Sequence, residues 1–163
     1  MASKTNSMRL LDGQGIPYEV YTFSSDIHSA LGVAESTGIP VDYVYKTLVV
    51  VRQDGKPLLA ICPGHCQVSL KKLAQVIGEK KLRMATQKEA ERFTGLQVGG
   101  ISALALIKGA FPVYLDRSAL ALERIVVSAG RRGINLRLAV GDLIRVTGAV
   151  VPESAFSEEV SQI

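Results

Sequence analysis

Residues 43–52, YVYKTLVVVR, give the strongest strand prediction in the sequence. β-Branched and aromatic side chains fill it, which is typical of a strand with a buried surface. The pair Asp54-Gly55 follows, and this dipeptide favours the tight turn of a β-hairpin. Residues 57–62 then supply the returning strand, so the sequence predicts an antiparallel hairpin here.

Short helices and strands alternate on both sides of this hairpin. Apolar residues at helical spacing, preceded by Ser or Thr and followed by Gly, predict helices with Ser29, Ser69 and Thr86 as N-caps. Helices are predicted at residues 5–14, 30–37, 70–77, 87–94, 118–122 and 142–146, and further strands at 17–23, 81–84, 111–115, 125–128 and 135–140. This order predicts a single α/β domain with a mixed, largely antiparallel sheet flanked by short helices.

The composition excludes several classes of protein. The 163 residues are 47% hydrophobic and 21% charged, which excludes intrinsic disorder and allows a sizeable core. Two cysteines are too few for a disulfide scaffold, and no run approaches the roughly 18 apolar residues of a membrane span. The N-terminal residues do not form a secretory signal. We therefore expect a cytoplasmic protein without a membrane segment.

The charge is unevenly distributed along the chain. Nineteen Lys and Arg against fifteen Asp and Glu give a net +4. Glu153, Glu158 and Glu159 lie in the last dozen residues, which hold no Lys or Arg; the rest has 19 bases against 12 acids, a net +7. We expect a domain at residues 1–152 and a frayed acidic tail at 153–163. A basic domain attracts polyanions such as nucleic acid.

Several familiar catalytic motifs are missing, and one metal-like cluster is present. The sequence has no GxGxxG, P-loop, GxSxG or HExxH pattern. Cys62, His65 and Cys66 are three metal-ligating side chains within five residues. Structural zinc takes four ligands and no fourth is visible, so a buried turn with two apolar thiols is the favoured interpretation. We expect neither a metal nor a cofactor.

Lys46 interrupts the apolar face of the central strand. Leu48 and Val50 follow it on the same face. A lysine in this position is either a desolvated polar group in a cleft or a strand-end residue that extends to water.

Two glycine-containing loops are the other candidates. Residues 99–102, GGIS, bring backbone N–H groups close to a ligand oxygen, or simply form a sharp turn before a buried strand. Residues 128–133, SAGRRG, supply a hydroxyl and two guanidinium groups for a phosphate or ribose, or form a solvated turn.

The order of these motifs carries more information than each motif alone. KTLVV, then GGIS, then VSAGRRG resembles the YbaK / prolyl-tRNA synthetase-associated domain family, and the likeness covers residues 5–150. The resemblance implies one α/β domain around a curved mixed sheet. It implies hydrolysis of a mischarged aminoacyl-tRNA, commonly tRNA(Pro) carrying cysteine or alanine. Aminoacyl-tRNA would be the partner, with prolyl-tRNA synthetase as a second candidate partner.

The same resemblance assigns roles to individual residues. The catalytic residues would be Lys46, Gly100 and Ser102, with amides near Gly100 donating to the developing oxyanion. The substrate-binding residues would be Gly99, Ile101, Ser128, Gly130, Arg131 and Asn135. Both histidines lie outside the matching motifs, so a general base is not evident. This favours attack by the thiol of a cysteine substrate, or by an ordered water, over a catalytic triad.

The chain departs from the family pattern at three positions. The loop GGISPLG is here GGISALA, with Ala103 for proline and Ala105 for glycine. Asn135 stands where many relatives have aspartate, and an amide cannot hold a substrate ammonium by charge. These changes leave the amino acid and the tRNA open. The alternatives are a tRNA-end or nucleotide-binding module without hydrolysis, and a recognition partner of the synthetase. The oligomeric state, monomer or homodimer, is also open.

Overall fold

A computed structural model describes residues 3–160; residues 1–2 and 161–163, the latter part of the predicted tail, lie outside the described residues. The α-helices are Asn6–Gly13 (α1), Ala30–Thr37 (α2), Leu70–Ile77 (α3), Gln87–Thr94 (α4) and Val140–Thr147 (α5). The strands are Glu19–Thr22 (β1), Tyr45–Arg52 (β2), Pro57–Pro63 (β3), Cys66–Val68 (β4), Leu82–Met84 (β5), Val113–Leu115 (β6), Arg124–Arg131 (β7), Ile134–Ala139 (β8) and Ser157–Glu159 (β9). Short 3-10 segments cover Val41–Tyr43, Leu104–Gly109 and Arg117–Ala121.

The strands form three hydrogen-bonded sheets in place of the single sheet expected from the sequence. Their orders are β5-β2-β3-β6, β1-β8-β7 and β4-β9. The predicted hairpin is confirmed, since β2 and β3 pair antiparallel from Tyr45 opposite Pro63 to Val51 opposite Pro57. The pair β3–β6 is parallel and the other pairs of these sheets are antiparallel, which confirms the mixed, antiparallel-rich α/β class.

The predicted N-caps Ser29, Ser69 and Thr86 are confirmed, and Thr5 caps α1 in the same way. Each of these side-chain oxygens accepts a hydrogen bond from the backbone amide three residues later, which satisfies a donor that the helix itself cannot. The pairs are Thr5 with Met8 (3.3 Å), Ser29 with Gly32 (3.0 Å), Ser69 with Lys72 (3.2 Å) and Thr86 with Glu89 (3.1 Å). Local sequence therefore sets where these helices begin.

The β2–β3 hairpin is buried on both faces. Val49, Leu59 and Ile61 pack into a large apolar cluster that includes residues of α1, β7, β8 and α5. Val50 and Leu58, one residue out of phase, pack into a second cluster with α3. Because neighbouring strand residues point to opposite faces, one apolar hairpin supports both clusters. None of the helices within residues 3–160 has the length and apolarity needed to cross a bilayer.

The sequence predicts a frayed C-terminal tail, but part of this segment is folded onto the domain. Ser157–Glu159 forms β9 and pairs with β4, and Phe156 is fully buried in the second cluster. The Oδ1 atom of Asp116 accepts hydrogen bonds from the amides of Phe156 (2.8 Å) and Ser157 (2.9 Å). The expectation of a frayed tail is therefore wrong for residues 156–159, because one aromatic side chain outweighs the polar character of its neighbours.

Candidate functional site

A cavity of about 570 Å³ opens beside the first half of β2. Its other walls include α2, the segment from β5 to α4, the glycine loop at residues 98–101 and the β7–β8 hairpin. Five predicted site residues line it: Lys46, Gly99, Ile101, Ser128 and Asn135. Its size falls within the roughly 300–1,000 Å³ of small-molecule pockets. The fold thus brings together residues that are up to 89 positions apart in the sequence.

Lys46 is half-buried and places its ammonium group at this cavity. Strand β2 fixes its backbone opposite Cys62, and its Nζ donates a hydrogen bond to the carbonyl oxygen of Cys66 at 2.5 Å. An ammonium has three N–H donors, so two remain for a ligand. Leu48 and Val49 form apolar walls nearby. Of the two alternatives that the sequence leaves open for this lysine, the structure agrees with a polar group in a cleft rather than one that extends away into water.

Ser128 and Asn135 are paired across the β7–β8 hairpin, and both side chains face the cavity. Asn135 is 7% exposed, and no hydrogen bond joins its side chain to another described residue. Buried polar groups are nearly always hydrogen-bonded, so an unpaired carboxamide on a cavity wall is available to a ligand. Ser128 Oγ accepts from the amide of Gly130 at 3.2 Å.

In the glycine loop, Gly99 and Ile101 line the cavity and Gly100 does not. The amide of Gly100 donates to the carbonyl of Gln97 at 2.8 Å, so it cannot donate to an oxyanion as the sequence suggested. A Cβ atom on Gly100 would lie 2.9 Å from the backbone nitrogen of Arg132. Glycine at this position therefore allows the loop to pack closely against the turn at residues 130–133. The amides of Gly99 and Ile101 have no backbone acceptor within residues 3–160.

Three more predicted residues lie away from the cavity wall. Ser102 is 1% exposed, and its hydroxyl has no hydrogen-bond partner among the residues described. The apolar run after it forms the 3-10 segment rather than a buried strand. Gly130 and Arg131 line a separate crevice on the other side of the β7–β8 turn. The structure therefore does not support a catalytic position for Ser102 or a place at this cavity for Arg131.

Two polar residues that line the cavity, His28 and Arg132, are not among the residues to which the sequence assigned a role. Both lie beside Gly99, where a Cβ would be 3.2 Å from His28 Nδ1 and 3.3 Å from Arg132 Nε. Arg132 Nε donates to the carbonyl of Val98 at 2.8 Å. The motif SAGRRG contained a signal for Arg132, but the sequence does not show which of two adjacent arginines faces the ligand.

The surroundings of Cys62 and Cys66 indicate a structural role for these two residues. Cys62 is fully buried, and desolvation raises the pKa of its thiol to about 12. Burial also raises the pKa of the Cys66 thiol. Across the described part of the chain, no three His, Cys, Asp or Glu side chains are arranged to hold a metal ion. Both thiols are therefore weak nucleophiles.

Fold and cavity together define a small α/β domain whose ligand site presents cations, a carboxamide and unpaired backbone amides. Such a site suits a ligand that carries a carbonyl group and a phosphate. The chain belongs to the aminoacyl-tRNA editing domain family, whose family model matches residues 24–146. This finding confirms the resemblance drawn from the motif order.

Individual relatives agree with the family assignment. The chain is 40% identical over 157 residues to an Enterococcus faecalis protein named "Putative Cys-tRNA(Pro)/Cys-tRNA(Cys) deacylase EbsC", with 95% of each chain covered. It is 30% identical over 110 residues to the proline–tRNA ligase of Nitratidesulfovibrio vulgaris, covering 68% of this chain and 19% of the ligase. The editing-type domain thus corresponds to about a fifth of that ligase.

Solved structures share the fold. A crystal structure described as "a putative trans-editing enzyme for prolyl tRNA synthetase" superposes with a TM-score of 0.80 at 25% identity, covering 98% of this chain and all of the other. A protein described only as hypothetical gives a TM-score of 0.84 at 23% identity over 94% of this chain and 99% of its own. The second likeness concerns the fold alone.

Proposed function

We propose that the protein hydrolyses the ester bond of mischarged aminoacyl-tRNA, with cysteine on tRNA(Pro) as its preferred substrate. One observation carries this proposal: Lys46, Gly99, Ile101 and Asn135 line one cavity in a chain of the editing family. The 40% identity to a protein named as a Cys-tRNA(Pro)/Cys-tRNA(Cys) deacylase supports the choice of amino acid. Such a substrate implies a cytoplasmic location, with prolyl-tRNA synthetase as a candidate partner.

The cavity residues would orient the ester rather than attack it. Lys46 and Arg132 supply positive charge for the 3′-terminal phosphate and ribose. Asn135 Oδ1 is an acceptor for the ammonium group of the amino acid. The amides of Gly99 and Ile101 are donors for the carbonyl oxygen, where negative charge develops in the transition state. An ester is already activated, so positioning and electrostatic stabilisation supply much of the acceleration.

The nucleophile is the thiol of the substrate itself. The protein's own thiols are poor candidates, because Cys62 is fully buried and burial raises the pKa of both Cys62 and Cys66. The substrate sulfur attacks its own carbonyl carbon, a C–S bond forms and the C–O bond to the ribose breaks. The thiol proton passes to the ribose oxygen, and water then opens the thiolactone to free cysteine.

A second candidate function is binding of the tRNA 3′ end without hydrolysis. The engaged amide of Gly100 favours it, because one of the expected oxyanion donors is already hydrogen-bonded to Gln97. Turnover separates the two functions, since a binding module protects the ester and a deacylase releases the amino acid.

The test uses purified protein with tRNA(Pro) charged separately with cysteine, alanine or proline. We expect rapid loss of cysteine and no loss of alanine or proline beyond the spontaneous rate, because neither of these amino acids carries a thiol. Alkylating the thiol of the Cys-tRNA(Pro) should abolish its hydrolysis, whereas an unchanged rate would show that water attacks instead. Failure to release any of the three amino acids would contradict the proposed activity.

A further inference from the structure

A second crevice, of about 210 Å³, lies on the far side of the β7–β8 turn from the cavity. Three cationic side chains line it, Lys4, Arg9 and Arg131, and no Asp or Glu does so. Lys4 is paired with Asp12, which does not line the crevice, and Arg9 Nη1 donates to Asn6 Oδ1 at 3.0 Å. Arg131 is exposed and has no side-chain partner among the residues described. The crevice is thus positively charged and polar.

The turn at residues 130–133 separates the two spaces and directs its arginines to opposite sides. Gly130 and Gly133 have φ values of 99° and 85°, which side-chain-bearing residues rarely adopt. The carbonyl of Gly133 accepts from the amide of Phe23 at 2.9 Å, so the turn is held against a neighbouring segment. In this conformation Arg132 lines the cavity while Arg131 lines the crevice.

We propose that the crevice binds an internucleotide phosphate of the tRNA acceptor end whose terminal nucleotide occupies the cavity. The inference rests on the proposed function and names where the rest of the substrate runs. An RNA strand that leaves the cavity carries a charged phosphate at each nucleotide, and the crevice offers cations just beyond the shared turn. A docking protein would need a large apolar anchor, and the crevice wall has mainly small or polar side chains.

The experiment measures binding of fluorescently labelled, uncharged tRNA(Pro) across a series of NaCl concentrations. The variants are Arg131→Glu, Arg9→Glu and, as a matched charge reversal, Lys56→Glu in the β2–β3 hairpin turn. We expect Arg131→Glu and Arg9→Glu to weaken binding about tenfold and to lower the slope of log Kd against log salt by about one. Lys56→Glu should bind like wild type, and all variants should keep the wild-type Tm.

Wild-type affinity and salt slope in both crevice variants would overturn the inference. Wild-type tRNA binding combined with loss of binding to purified prolyl-tRNA synthetase would also overturn it, and would make the crevice a protein-docking site. Uncharged tRNA has no ester, so this result does not depend on catalysis. A protein that binds tRNA through the crevice but releases no amino acid would contradict the proposed function and leave the phosphate site intact.

Discussion

Two polar regions of the molecule meet at Tyr45, and they differ in how their polar groups are satisfied. Tyr45 lines the cavity, and its hydroxyl lies 2.8 Å from Ser118 Oγ in the Asp116 cluster, which comprises Asp116, Ser118, Phe156 and Ser157. The Asp116 carboxylate accepts five hydrogen bonds from this cluster. At the cavity, Asn135 and two backbone amides have no partner in the described structure.

The contrast separates a structural site from a ligand site. A buried carboxylate is stabilised when its lone pairs all have donors, and this one joins the C-terminal strand to the core. Polar groups without protein partners on a cavity wall remain available to a bound ligand. Substitutions in the Asp116 cluster should therefore lower stability, whereas substitutions at the cavity should reduce hydrolysis.

Asp116→Ala should have the largest effect and should act on stability. The substitution leaves the amides of Phe156 and Ser157 without their acceptor and should lower the free energy of unfolding by about 3 kcal/mol. For a domain of this size the Tm should fall by about 9 °C. Calorimetry measures this, with Glu153→Ala as the exposed acidic control. A wild-type Tm in Asp116→Ala would show that the Asp116 cluster does not stabilise the fold.

Lys46→Ala should reduce hydrolysis strongly with little change in stability. Loss of the ammonium group removes a charged donor from the cavity, and we expect kcat/KM for Cys-tRNA(Pro) to fall about 100-fold, or about 2.7 kcal/mol. Lys56→Ala, in the distant hairpin turn, should retain the wild-type rate. Equal rates in Lys46→Ala and wild type would remove Lys46 from the site.

Asn135→Leu replaces a carboxamide of the cavity wall by an apolar side chain of similar shape. We expect the Tm to stay the same or rise, and hydrolysis to fall about tenfold. Parallel melting and single-turnover assays measure both. A fall in Tm as large as that of Asp116→Ala would show that Asn135 is structural.

The smallest expected effect is a loss of stability at acidic pH through protonation of Asp116. Burial raises the pKa of Asp116, but hydrogen bonds from Ser118, Ser157 and the backbone outweigh it, so the pKa lies below its ordinary value. The unfolded state then binds the proton more readily, and stability is lost as the pH falls below about 4. Urea unfolding at pH 5, 4 and 3 should show a shallower decline for Asp116→Asn than for wild type. An equal decline in the two proteins would show that Asp116 does not contribute to the loss of stability at acidic pH.

Local features of the chain were predictable from its sequence. The Asp54-Gly55 hairpin and the caps Ser29, Ser69 and Thr86 depend on residues a few positions apart, and the structure confirms them. The tail was misjudged because the burial of Phe156 depends on Asp116, 40 positions earlier. Nothing near either residue in the sequence indicates that contact.

The candidate site was predictable as a set of motifs but not residue by residue. Motif order brought Lys46, Gly99 and Asn135 together, and the cavity contains all three. The sequence does not show which of two neighbouring residues in these loops lines the cavity. Positive φ angles in the turn decide between Arg131 and Arg132, and the hydrogen bond to Gln97 removes the amide of Gly100 from the cavity.

The cavity is the site of hydrolysis, whereas the Asp116 cluster stabilises the fold. The most direct test measures single-turnover hydrolysis of Cys-tRNA(Pro) by wild type, Lys46→Ala and Asp116→Ala at a temperature where circular dichroism shows all three folded. We predict that Lys46→Ala is stable and nearly inactive, and that Asp116→Ala is less stable and active. An active Lys46→Ala protein, or a folded Asp116→Ala protein without activity, would contradict the account.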